Sequence, residues 1–142
     1  IKGVDNLLIR LSRCCTPVPG DEIVGFVTKG RGVSVHRKDC PNIQHLEGTD
    51  RLLPVEWSGE LDQSYNVDIE ITALDRRGLL NDVFQVISDS KTNIVAVQGR
   101  TDRHKMASIV MTLAISNLDH LHQVVERVKQ VKDIFSVQRI IQ

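Results

Sequence analysis

The strongest constraint on the fold is a change of hydrophobic period in the second half of the chain. Residues Tyr65–Leu74 alternate between apolar and polar side chains, which is typical of a half-buried β-strand. After a turn at Asp75–Gly78, apolar residues recur at helical spacing over Leu79–Ile87 and predict a helix of about three turns. This half must therefore combine a sheet with helices that cover it.

The rest of that half completes a recognisable order of elements. The sequence predicts strands at Ile94–Gly99 and Met106–Ile115, a second helix capped by Asn117, and a closing strand at Ile134–Ile141. The resulting order, βαββαβ, is that of the ferredoxin-like plan. Two helices then cover one face of a four-stranded antiparallel sheet, and the other face is left for a partner sheet, a partner domain or solvent.

The first half of the chain predicts a smaller, β-rich module. Its predicted strands are Leu7–Leu11, Ile23–Thr28, Val33–His36 and Leu52–Trp57, with Pro54 marking an edge or a bulge. The two middle strands form a hairpin, and a short helix follows at Pro41–Leu46. A polar stretch, Ser58–Ser64, predicts a linker. The whole chain is therefore expected to be α+β, with modules at residues 1–60 and 64–142.

Composition narrows the class of protein. The 142 residues are 41% hydrophobic and 25% charged, which is ordinary for a soluble globular protein. The net charge is zero and therefore does not predict strong electrostatic binding to nucleic acid. Residues 1–46 are locally basic, however, with seven Lys/Arg against four acidic residues. Apolar runs are too short for a transmembrane helix. An odd cysteine count, without a secretory segment, favours the reducing cytoplasm, and a first residue other than Met predicts a piece of a longer protein.

Four residues have the chemistry of a zinc site: Cys14, Cys15, His36 and Cys40. Thiolates and an imidazole suit zinc, and the hairpin could return the His-x3-Cys pair to the Cys-Cys loop. Adjacent cysteines rarely both bind one ion, because consecutive side chains tend to point apart. The alternative is that the cysteines are small buried apolar residues and the histidine is a surface contact.

The hairpin also predicts an RNA contact, formed by Lys29, Arg31, His36, Arg37 and Lys38. Glycines in its turn would let the backbone approach a phosphate closely, and the cations would neutralise the phosphate charge. The Lys-Ser/Thr signature of a nucleotide-hydrolase phosphate loop is missing. The alternative is a solvated turn with ordinary surface charge.

A third candidate is an amino-acid site at the strand-to-helix turn, with Asp75, Arg77, Gly78, Leu79 and Leu80. The unpaired amides of a helix N-terminus suit a carboxylate, and Asp75 could accept a hydrogen bond from an ammonium group. The alternative is a plain turn with Asp75 as the helix cap. Catalytic signatures are missing from the sequence, so no catalytic residue is predicted.

Three blocks of the first half, Arg13–Asp21, Gly25–Arg37 and Asp39–Asn42, resemble the conserved-cysteine or zinc-finger module of long RelA/SpoT homologues, the stringent-response enzymes. The second half, with Asp75–Leu80, resembles the ACT domain of the same proteins. The resemblance covers essentially the whole chain. The family name also suggests zinc as the metal.

The resemblance implies a regulatory, non-catalytic role for this region. The parent enzyme would make (p)ppGpp by moving pyrophosphate from ATP to GTP or GDP, as a GTP diphosphokinase, and bifunctional members would also hydrolyse it. The two modules would contact large-subunit rRNA and uncharged A-site tRNA on the ribosome and would control the upstream catalytic domains. Some ACT domains bind branched-chain amino acids, and many pair side by side, so we expect an amino-acid sensor as the alternative function and a homodimer. The resemblance favours the RNA-contacting hairpin over a solvated turn.

Overall fold

The computed structural model describes residues 1–3, 8–30, 32–44, 51–58 and 63–141. The chain divides into two units, the first built from Ile1–Gln63 with the last two residues and the second from Ser64–Ile140. The predicted module boundaries, 1–60 and 64–142, stay a prediction, because most of the predicted linker Ser58–Ser64 lies outside the described residues.

The first unit contains a four-stranded sheet in the order β1-β3-β2-β4. Its elements are β1 (Ile9–Leu11), β2 (Ile23–Val27), β3 (Val33–Arg37), α1 (Pro41–Gln44) and β4 (Leu52–Pro54). The predicted β2–β3 hairpin is confirmed, and β4 is an edge strand, where a proline without an N–H group is tolerated. The start of the first predicted strand, Leu7, and the end of the predicted helix, residues 45–46, lie outside the described residues.

One feature of this sheet was not predicted, and another differs from the prediction. Strand β1 pairs with β3 in parallel, so the chain between β1 and β2 crosses over before the hairpin begins. The last predicted strand ends at Pro54 and not at Trp57. The reason is that Glu56 pairs with Lys2 in an isolated bridge, and the Trp57 indole N–H donates to the Asp21 carbonyl at 3.1 Å.

The hairpin strands bury side chains on both of their faces. One face holds an apolar cluster that includes Ile23, Val33 and Val35. On the other face, Val24 packs against a second cluster built from Cys15 of the β1–β2 loop, Cys40 and Ile43 of α1. The alternation along β3 directs its even-numbered residues toward this second cluster.

The second unit contains a four-stranded sheet in the order β6-β7-β5-β8, with every neighbouring pair antiparallel. Its elements are β5 (Tyr65–Leu74), α2 (Leu79–Asp89), β6 (Ile94–Thr101), β7 (Met106–Ile115), α3 (Leu118–Lys129) and β8 (Ile134–Arg139). The predicted βαββαβ order and ferredoxin-like plan are confirmed. Strand β6 is longer than predicted because its pairing with β7 continues to Thr101. Strand β8 is shorter than predicted because its pairing with β5 ends at Arg139.

The core of this unit follows from the two periods read in the sequence. Alternate residues of β5 and β7 are buried, and so are residues of both helices, including Val83, Ile87 and Val124. Asn117 accepts a hydrogen bond from the His120 N–H at 2.8 Å, which confirms it as the cap of α3. Within the described ranges, neither α2 nor α3 nor α1 has the length and apolar character needed to span a membrane.

Candidate metal centre

The loop that follows β1 closes a tight turn around two adjacent cysteines. The Thr16 N–H donates to the Ser12 carbonyl at 3.1 Å, and Thr16 has a φ of 44°, in the left-handed region. A β-branched residue rarely adopts this conformation. The turn directs the sulfurs of Cys14 and Cys15 toward the same place, so the expectation that adjacent cysteines point apart is wrong for this loop.

The base of the hairpin brings a histidine and a third cysteine to these sulfurs. Cys14 Sγ lies 3.6 Å from Cys40 Sγ, 3.9 Å from Cys15 Sγ and 3.4 Å from His36 Nδ1. Cys15 Sγ lies 3.8 Å from the same nitrogen. All four ligand atoms lie within 4.8 Å of one another, so the structure brings together every predicted metal ligand.

These separations fit one tetrahedral ion. With bond lengths of about 2.3 Å to sulfur and about 2.0 Å to nitrogen, tetrahedral geometry requires about 3.8 Å between sulfurs and about 3.5 Å between sulfur and nitrogen. Four of the six separations are 3.4 to 3.9 Å and match these values, and all six are within 4.8 Å. Three thiols and one imidazole would fill all four positions of such an ion, and no position would remain for a substrate. The geometry is that of a structural site.

Three further groups orient the ligands. Ser34 Oγ lies 3.3 Å from His36 Nε2, and Ser12 Oγ lies 2.9 Å from Cys14 Sγ. The backbone N–H of Arg37 donates to Cys15 Sγ at 3.3 Å. A proton on Nε2, donated to Ser34, leaves the lone pair of Nδ1 directed at the sulfurs. Ser34 was not predicted as part of the site, although its position two residues before the histidine places both side chains on one face of β3.

Burial dominates the electrostatics of the cluster. It raises the pKa of Cys15 to about 12 and also raises the pKa of Cys40. It acts in the same direction on Cys14, but hydrogen bonds, first among them that from Ser12, outweigh burial and lower the pKa of this thiol. Burial lowers the pKa of His36, which keeps the imidazole neutral and able to bind a metal. A bound cation would displace protons from the thiols, so metal affinity is expected to rise with pH.

Two of the residues predicted to contact RNA are exposed, Lys29 and Lys38. Lys29 lies in the hairpin turn and Lys38 follows the far end of β3, so the five residues of that strand separate them by about 16 Å. They do not form one compact basic patch. Arg31, also predicted, lies outside the described residues.

The other two predicted RNA contacts are engaged within the unit. His36 is half-buried, with both ring nitrogens directed at the cysteine cluster and at Ser34. The side chain of Arg37 is only 14% exposed, and its Nη2 lies 2.5 Å from the carboxylate of Asp39. Neither side chain extends freely into solvent.

The predicted amino-acid site lies at the start of α2. Gly78 has a φ of 84° and precedes the helix without a side-chain cap. The alternative that Asp75 caps the helix is wrong, because Gly78 is the N-cap residue and no side chain caps α2. The Asp75 carboxylate instead accepts a hydrogen bond from a threonine of β6 at 3.2 Å. The side chain of Leu79 is buried in the core, whereas Arg77 and Leu80 are exposed. The predicted ligand residues are close in sequence, but the buried side chain of Leu79 is not accessible to a ligand.

Comparison with known proteins identifies two families. Residues 1–58 match the RelA/SpoT RIS domain, and residues 61–139 match the ACT domain. The chain is 43% identical over 141 residues to a GTP pyrophosphokinase of Streptomyces coelicolor and 38% identical over 143 residues to one of Escherichia coli K12. Each alignment covers 99% of this chain, but only 17% and 19% of the respective relative.

A solved structure adds a further likeness. The ACT domain of a GTP pyrophosphokinase from Chlorobium tepidum covers 55% of this chain and 100% of its own, with 23% identity and a TM-score of 0.49. The two family matches follow each other along the chain in the order of its two units. The chain belongs to the ACT domain family, and it carries the paired RIS and ACT domains of a RelA/SpoT protein.

Proposed function

We propose that this chain is the non-catalytic regulatory region of an enzyme that makes (p)ppGpp from ATP and GTP or GDP, and that a bifunctional parent also hydrolyses the product. One observation carries this proposal. The chain aligns along 99% of its length with two GTP pyrophosphokinases, yet the alignment spans less than a fifth of the length of either relative. The catalytic domains would therefore lie elsewhere in the parent. Formation of (p)ppGpp by this chain alone, incubated with ATP and GTP, would contradict the proposal.

The cysteine cluster holds a structural zinc ion in this proposal. The support is the tetrahedral fit of the separations between Cys14, Cys15, His36 and Cys40. A small β-rich unit gains stability from such a cross-link because its own apolar core is thin. Elemental analysis of protein purified without chelator is expected to give about one zinc per chain. Less than a tenth of an equivalent, with all three thiols reduced, would reject zinc.

The hairpin contacts RNA through Lys29, Lys38 and Arg31, on the ribosome and its uncharged tRNA. Both lysines are exposed, and removing one cation that neutralises a phosphate should lower the salt dependence of binding by about one unit of slope. Filter binding of the Lys29→Ala/Lys38→Ala variant to ribosomes is expected to show weaker, less salt-dependent binding. The matched control, Lys129→Ala/Lys132→Ala, removes the same charge from the second unit, and equal losses of affinity in both variants would contradict the assignment.

A second candidate function is sensing of a branched-chain amino acid at the start of α2. It is favoured by Gly78, which leaves the first-turn amides of the helix without a side-chain cap. Those amides suit the carboxylate of valine, leucine or isoleucine, with Asp75 near the ammonium group and Leu80 near the side chain. Isothermal titration of the chain with each amino acid tests this function, and no heat at millimolar ligand would reject it.

The second unit pairs with another copy of itself through β6. This strand lies at the edge of its sheet and exposes Val95 and Val97, at 54% and 45%. Exposed apolar residues on an unpaired edge favour association with a second strand. Sedimentation is expected to show a dimer that Val97→Lys converts to a monomer, and a wild-type monomer at micromolar concentration would contradict the pairing.

A further inference from the structure

The three cysteines of the cluster differ in their exposure to solvent. Cys14 is partly exposed, whereas Cys15 and Cys40 are fully buried. A small oxidant arriving from solvent therefore reaches the sulfur of Cys14 first. The susceptibility of a cysteine to oxidation follows its exposure as well as its thiolate character.

Geometry selects the sulfur that would react next. Cys40 Sγ lies 3.6 Å from Cys14 Sγ, so a bond of about 2.05 Å requires the two atoms to approach by about 1.5 Å, within the range of small side-chain rotations. Cys15 Sγ is farther, at 3.9 Å, and a bond between adjacent residues would strain the planar peptide between them. Cys15 is also held by the N–H of Arg37.

We propose that Cys14 and Cys40 form a site of reversible oxidation by hydroperoxides, and that a metal held by the cluster is released when their disulfide forms. This inference rests on the proposed zinc site. The Cys14 thiolate attacks the terminal oxygen of the hydroperoxide, the O–O bond breaks, and hydroxide or alkoxide leaves as Cys14 becomes a sulfenic acid. The Cys40 thiolate then attacks the sulfenic sulfur and releases hydroxide. The two sulfurs lose two electrons together, and the peroxide gains them.

The disulfide replaces one cross-link by another. Oxidation leaves two ligands, Cys15 and His36, which are too few to hold a structural zinc ion. The disulfide still joins the β1–β2 loop to the residue before α1, the two segments that the cluster brings together. The first unit therefore keeps its closure while it loses its metal, and reduction restores all four ligands.

Peptide mapping of the whole chain tests this site. The zinc-loaded protein is treated with hydrogen peroxide, and released zinc is measured with a chromophoric chelator. Trypsin is expected to yield the fragments 14–29 and 39–51 joined by a disulfide, and tandem mass spectrometry then assigns the bond to Cys14 and Cys40. We expect one zinc released per cross-link, and rebinding of zinc after treatment with dithiothreitol.

Two results would overturn the site: a Cys14–Cys15 bond inside fragment 14–29, or a Cys14 sulfinic acid without any cross-link. Retention of zinc by cross-linked protein would overturn the coupling. Reduced protein prepared without zinc serves as the second arm, because its mapping does not depend on metal. If the chain binds no zinc yet still forms the Cys14–Cys40 bond, the zinc proposal fails and the oxidation site stands. The Cys40→Ala variant is the control and should give no cross-linked fragments.

Discussion

Replacing Ser34 by alanine is expected to weaken zinc binding without changing any ligand. The Ser34 hydroxyl is buried, with the residue only 5% exposed, and it lies 3.3 Å from His36 Nε2. Because the residue is buried, water has little access to replace the hydroxyl. Without this partner, the imidazole loses the hydrogen bond that fixes its tautomer and its orientation toward Cys14.

The size of the effect follows from the role of the hydroxyl. Loss of a group that orients a metal ligand typically lowers metal affinity by about 10- to 100-fold, or roughly 1.4 to 2.7 kcal/mol. A competition titration against a chromophoric chelator at fixed pH measures it directly. The matched control is Ser108→Ala, which removes a hydroxyl that donates to Glu70 at 3.1 Å in the second unit. This variant should bind zinc like the wild type.

One outcome would refute the reasoning. If Ser34→Ala folds with an unchanged circular dichroism spectrum and binds zinc with unchanged affinity, then the contact at Nε2 does not orient His36. The histidine would then either bind through its other nitrogen or lie outside the coordination sphere. A fall in affinity of equal size in Ser108→Ala would also refute it, because that hydroxyl belongs to the other unit.

Three further substitutions, of which Gly99→Ala is a control, probe packing and capping, each followed by urea unfolding. Gly25→Ala places a methyl group 2.9 Å from a side-chain carbon of Val33 and is expected to destabilise the first unit by about 1 to 3 kcal/mol. Gly99→Ala, whose new methyl meets nothing closer than 3.9 Å, should change stability by less than about 0.5 kcal/mol, and equal effects would contradict the packing argument. Asn117→Ala removes the acceptor for the His120 N–H and should cost about 1 kcal/mol in the second unit; an unchanged midpoint would count against the cap.

The second unit could be predicted almost completely from its sequence. Alternation along Tyr65–Leu74 and helical spacing after Gly78 are local signals, and the tertiary structure follows them. The pairing of β1 could not be predicted in the same way. That strand has only three residues, which is too short for a clear pattern. It pairs with residues 24 positions later in the sequence, as Ile9 does with Val33, so tertiary contacts determine its partner.

The composition of the candidate site and the return of the hairpin to the Cys-Cys loop were predicted, but the shared direction of the two adjacent cysteines was not. Residue types identified all four metal ligands, yet their convergence depends on the positive φ of Thr16, which no propensity of threonine indicates. The charge of Arg37 predicted an RNA contact because arginine is usually exposed. Its pairing with Asp39, two residues away, and the burial of its side chain depend on the completed fold.

The parallel pairing of β1 with β3 has a consequence for the order of folding. Because the loop that holds Cys14 and Cys15 connects β1 to the hairpin, it cannot reach its final position until β1 docks beside β3. The β2–β3 hairpin is closed by a short local turn and can form first, whereas β1 must close a longer loop. A metal that needs both segments would then bind after the main barrier, and would slow unfolding more than it speeds refolding. Stopped-flow measurements with and without zinc distinguish this order from one in which the metal nucleates the fold and speeds refolding.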